Sequence, residues 1–77
     1  MTAKEFLRNS DSTTKRAVIS KVEDPQLREL LTLRYICGYD WNRIAYMMNY
    51  SYDHIVGFLH RKALKSVNMH KNALKKS

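Results

Sequence analysis

Residues 40–55, DWNRIAYMMNYSYDHI, decide how this chain is read. Asp40 is a residue type whose side chain caps free backbone N–H groups, and the short apolar-spaced run Trp41–Met48 follows it directly. Asn49 tolerates positive φ and so ends that helix after about two turns, and Ser51 is a cap for the next one. The stretch therefore predicts a short helix, a tight turn and a second helix beginning at Tyr52.

Two helices joined by so short a turn meet at a steep angle, which constrains the side chains at the joint. Ile44 and Met48 stand one helical turn apart and can both face inward, while the intervening Ala45 is small enough for the next helix to pack close. Tyr50 follows as the apolar plug of the turn, and Ile55 and Phe58 are the matching inward positions on the second helix. Spaced apolar residues alone would suit any helical hairpin. The combination of Ala45, the Asn49 break and the Ser51 cap favours a helix-turn-helix.

Upstream, Asp24–Pro25 starts another helix, because proline at the first helical position sacrifices no hydrogen bond. Leu27, Leu30, Leu31 and Tyr35 form its apolar stripe to about Ile36, Gly38 supplies the left-handed end, and Cys37 reads as a small core residue. Residues 13–23 predict a first helix with Ala17, Val18 and Val22 on one side. Residues 1–11 could form a short pair of helical turns around Phe6 and Leu7, but SDST at 10–13 then favours caps and turns, and residues 1–12 read as a loosely attached N-terminal arm. Downstream, the Tyr52 helix continues to about Met69, and residues 70–77 read as a basic C-terminal tail. The expected fold is all-α: a small bundle of about four helices over residues 13–69, containing the helix-turn-helix.

A chain of 77 residues allows one domain, which at that size buries only about 60% of the surface its unfolded chain exposes. With 44% hydrophobic and 27% charged residues the composition is that of an ordinary globular protein. No apolar run approaches the length that spans a bilayer, and MTAKEFLRNS has no signal-peptide core, so a cytoplasmic protein without membrane association is expected. The charge of +7 is unevenly spread: residues 1–53 hold eight basic and seven acidic side chains, residues 54–77 six basic and none acidic. Clustered Lys and Arg gain free energy by displacing counterions from phosphates, which suits a polyanionic partner, and on charge alone a solvated face that keeps the protein soluble fits equally well.

The run DPQLRELLTLRYICGYDWNRIAYMMNYS, with the following HRKAL, resembles the sigma-factor region 4 type of helix-turn-helix, especially small phage-encoded transcription activators that share it. The Leu-rich helix ending at Leu31–Tyr35, the Gly38 turn and the Ile44–Ala45 pair carry the resemblance, which spans Asp24 to Leu64. It implies promoter DNA binding in the major groove together with contact to RNA polymerase. The family usually has basic or polar residues where Val56, Gly57 and Phe58 stand, so this helix is more apolar in its middle.

A recognition helix presents its N-terminal residues to base edges, which singles out Ser51, Tyr52, Asp53 and His54. Asp53 could accept from a base but fits better as a first-turn charge complementing the helix dipole. Gly57 either admits a close backbone approach to DNA or serves packing. Arg61 is in reach of bases or backbone, and Lys62 and Lys65 extend the surface toward phosphates. Arg43 lies where members of the resembled family touch phosphate. Of Trp41, Tyr46, Tyr50 and Tyr52, two or three read as core or rim packing, and without a strand platform the cluster does not read as a base-stacking surface.

His54, His60, His70 and Cys37 lack the short paired spacing of common zinc sites, so neither metal nor cofactor is expected. No acid pair, activated nucleophile or phosphate-binding glycine loop points to an enzyme. No heptad seam is visible, and a monomer is the expectation. The expected partner is double-stranded DNA, with RNA polymerase as a further one. The alternative is a protein adaptor that grips RNA polymerase or a sigma factor through the same fold, motivated by the apolar Val56 and Phe58.

Overall fold

The computed structural model describes residues 2–67; the helix end expected near Met69, the tail at 70–77 and His70 lie outside the described residues. Five helices and no strand occur among the described residues. They are α1 (Ala3–Asn9), α2 (Ser12–Ser20), α3 (Pro25–Leu31), α4 (Trp41–Met48) and α5, which opens with Tyr52–His54. Two of them widen into a π-turn: α3 runs on through Thr32–Ile36, and α5 through Ile55–Leu59 before resuming as ordinary helix over 60–67.

The helix starts follow from local chemistry. Asp11, Asp24, Asp40 and Ser51 each turn a side-chain oxygen onto a free N–H of the first turn: Thr14 at 2.8 Å, Gln26 at 2.9 Å, Arg43 at 2.8 Å and His54 at 3.1 Å. At Asp11 the two backbone and side-chain hydrogen bonds of Thr14 hold the carboxyl below its ordinary range. This cap starts α2 at Ser12 rather than at Thr13, and the helix stops at Ser20, well short of the expected Glu23. Val18 and Ile19 are buried on α2 and Val22 just beyond it, whereas Ala17 faces solvent.

The expected loose arm is instead helix α1. Thr2 caps it through the Glu5 N–H, and Ala3 and Leu7 are buried in the common core. Burying a leucine fully stabilises by roughly 1.5–3 kcal/mol, which contributes to docking so short a helix. The core is one cluster in which Leu7, Leu30, Leu31, Ile44 and Ile55 lose all solvent contact. Cys37, expected there, is exposed, because the wide turn before it ends the helix and leaves residues 37–40 as a loop. Gly38 takes the left-handed conformation at φ 77°. The Tyr39 N–H then reaches back to the Leu33 carbonyl at 3.0 Å, one residue farther than the usual six-residue helix closure.

The π-turn in α5 sets which residues point inward. Ile55, Leu59, Ala63 and Val67 are buried, yet in an unbroken helix turning about 100° per residue the last would stand about 120° away from the first. One extra residue in the wide turn takes up that drift. Phe58, expected as an inward position, is correspondingly rotated out and is 52% exposed, and Leu59 fills the core in its place.

His60 fastens α5 to the rest of the fold. Its Nε2 is 2.8 Å from Tyr35 Oη and its ring centroid 4.4 Å from that of Trp41, whose other neighbour is the Arg34 guanidinium at 4.5 Å. Burial first, and then the charges of Lys4 and Arg34, lower the imidazole's pKa to about 4. It is therefore neutral near pH 7, consistent with its place beside two apolar rings. Burial likewise raises the Tyr35 phenol. No described helix is long and apolar enough to cross a membrane.

Candidate functional site

The joint between α4 and α5 is built by Asn49, the one non-glycine residue with positive φ among the described residues, at φ 61° and ψ 44°. Its N–H bonds the Tyr46 carbonyl at 3.2 Å and the Tyr50 N–H bonds that of Ala45 at 3.0 Å, the paired closure of a helix ended by a left-handed residue. Buried Ile44 and Ala45 face inward, with Met48 half-buried against the core. Tyr50 differs from the expected plug: its ring lies at the rim, and Gln26 Nε2 donates to its hydroxyl.

Ser51, Tyr52, Asp53 and His54 are all exposed at the start of α5. The Ser51 hydroxyl is engaged as the cap, accepting from the His54 N–H. Asp53 stands in the first turn, where a negative charge complements the helix dipole. The His54 ring lies between two aromatic neighbours, Tyr50 at 4.9 Å and Phe58 at 5.3 Å between centroids. Tyr50, His54 and Phe58 thus form a ladder up the exposed side, and the Lys62 ammonium caps it, 5.7 Å from the Phe58 ring centre.

Arg61, Lys62 and Lys65 are brought together with Gly57 and Phe58 around one shallow hollow of about 360 Å³. A Cβ added at Gly57 would meet nothing within 4 Å, so no packing contact demands glycine there. Arg43 is exposed but does not line that hollow; its guanidinium lies 4.5 Å from the Tyr39 ring centre. Trp41 belongs to the His60 cluster, whereas Tyr46 is 88% exposed beside the joint, where it lines a second hollow with Asn49, Tyr50 and Ser51.

The face thus combines hydrogen-bonding side chains at a helix start, a ladder of tilted aromatic contacts and a cationic rim. Chemically it suits a flat or grooved anion-bearing surface: cations for phosphates, rings and amide-sized groups for what lies between them. Phe58 and Tyr50 are the members that the sequence reading placed elsewhere, and the exposure of Phe58 depends on the π-turn and not on any local residue preference. Tyr46, which shares a hollow with Tyr50 and Ser51, extends the apolar part of the face onto α4. No family model, curated protein or solved structure matches the chain.

Proposed function

We propose that the chain is a DNA-binding module, in which α4 and α5 act as a helix-turn-helix and the start of α5 enters the major groove. The observation that carries this reading is the single exposed face on which the rings of Tyr50, His54 and Phe58 meet in tilted contacts and Arg61, Lys62 and Lys65 converge. Tyr52 and His54 are offered to base edges, Arg61 to bases or backbone, and Lys62, Lys65 and Arg43 to phosphates. The Ser51 hydroxyl is reserved for the cap, and Asp53 serves the dipole. The open space beside Gly57 favours close approach of a partner over a packing role. The resemblance to sigma region 4 then suggests a regulator of transcription that meets RNA polymerase at promoter DNA.

The test is fluorescence anisotropy of a labelled duplex over a salt series. Neutralising the four phosphates opposite Arg43, Arg61, Lys62 and Lys65 gives a log–log slope of about −3.6, and Lys65→Ala lowers its magnitude by about one on every sequence. A flat salt dependence, with no binding even at low salt, rules the reading out.

The second reading is a protein adaptor on the same fold. It is favoured by the exposure of Tyr46, Met47, Tyr52 and Phe58, more apolar surface than phosphate contact requires. Retention of RNA polymerase by the immobilised chain, lost in Phe58→Ser but not in Lys65→Ala, is its expected signature.

A further inference from the structure

A second cationic feature lies in the N-terminal half, where basic and acidic residues nearly balance along the chain. Lys4 and Arg8 on α1, Lys15 on α2 and Arg34 in the wide turn after α3 line a cleft of about 500 Å³ with Tyr35 and Trp41. Four positive groups from three separate elements converge there, and no carboxylate lines the cleft. The volume falls within the range of ligand pockets, and its lining is mainly polar.

Two of the four cations are held in place by backbone. Lys15 Nζ donates to the Tyr35 carbonyl at 3.2 Å, and Arg34 donates to the Tyr39 carbonyl at 3.1 Å while its guanidinium rests on Trp41. Their remaining donors are free of a carboxylate in the cleft wall, and Lys4 and Arg8, one helical turn apart on α1, complete the opposite side. Like charges brought this close repel one another, and a fold gains by placing an anion between them. Fixed donors that need no rearrangement lose little entropy on binding.

We infer that this cleft is a binding site for a phosphate-class oligoanion, a group carrying two or more phosphates, held by Lys4, Arg8, Lys15 and Arg34. Phosphate suits the site because arginine offers paired N–H donors and lysine a compact charge, and several oxygens can be shared among the four. The site does not depend on the DNA reading. The phosphates come either from a free polyphosphate compound or from a nucleic-acid backbone, and the two sources separate experimentally.

The probe is pyrophosphate, titrated into the full chain at low salt and followed by the Trp41 indole N–H and the Arg34 side-chain N–H in NMR spectra. Saturable shifts confined to the cleft are expected. Lys4→Gln with Arg8→Gln, both at exposed positions, weakens binding at least about tenfold, or about 1.4 kcal/mol. Lys62→Gln with Lys65→Gln leaves it within about twofold, which separates a site from general attraction to a basic protein. A duplex that displaces pyrophosphate assigns the site to backbone phosphate; a duplex that does not assigns it to a free compound. The proposal fails if pyrophosphate shifts nothing and the Lys4–Arg8 double variant binds duplex like the parent, or if both double variants weaken pyrophosphate equally. Absence of duplex binding by the parent chain at low salt, with pyrophosphate binding present, overturns the DNA reading alone.

Discussion

Acidification between pH about 6.5 and 4 withdraws a defined part of the fold's stability through His60. The imidazole is 7% exposed and its pKa is lowered to about 4, chiefly by burial and further by Lys4 and Arg34. In the unfolded chain the same group titrates near its ordinary 6.5. Across that window the unfolded state takes up a proton that the folded state refuses, so stability rises with pH. The contribution is fully present above pH 6.5 and is lost as the pH falls through about 4. A gap from 6.5 to about 4 is worth about 3 kcal/mol, a large share of the roughly 4–12 kcal/mol that holds a domain of this size. Urea unfolding at about pH 7 and about pH 4.5 measures most of the loss. His60→Gln, which keeps an acceptor for the Tyr35 hydroxyl and cannot be protonated, isolates it from the carboxylates that also titrate in acid. The parent should lose about 2–3 kcal/mol more than the variant over this range. Equal losses in both proteins refute the argument that the buried imidazole drives the effect.

Leu7→Ala is expected to cost about 2–5 kcal/mol in urea unfolding, because Leu7 is wholly buried; a cost below half a kcal/mol would restore the view of the N-terminus as an arm. Asn49 holds a left-handed conformation, so Asn49→Ala should destabilise by about 1 kcal/mol while Asn49→Gly stays near neutral. Loss of stability by the glycine variant as large as that of the alanine variant would point to side-chain contacts instead of backbone conformation. Gly57→Ala should raise stability by up to about 1 kcal/mol, since the added methyl meets nothing; a fall in duplex affinity in that more stable protein marks Gly57 as a point of close approach.

Where a single residue governs local structure, the sequence was readable. Asp24, Asp40 and Ser51 start their helices, and Asn49 and Gly38 take the left-handed turns, as their side chains or lack of one predict. The stretch Ala3–Asn9 was not readable as docked helix, because seven residues hold little apolar signal and its order comes from the core that receives Leu7. Neither π-turn has a residue signature, and both moved side chains off their expected faces, Cys37 and Phe58 outward. Of the expected contact residues all nine are exposed, and Gly57, Arg61, Lys62 and Lys65 share one hollow that Arg43 does not reach. The cationic cleft was hidden for a different reason. Its members lie thirty residues apart among compensating acids, and only the packing of three helices sorts the signs.

The wide turn at Ile55–Leu59 also bears on how the length of this chain can change. It stores one residue more than an ordinary helical turn, so losing a residue there can be absorbed by closing the loop of backbone into regular helix, with Ala63 and Val67 keeping their inward aim. The same loss a turn later would swing Val67 by about 100° toward water. Insertions and deletions are thus tolerated or punished according to which side of this short slack they fall on, and the slack lies directly beneath Phe58 and Gly57, where a partner would press.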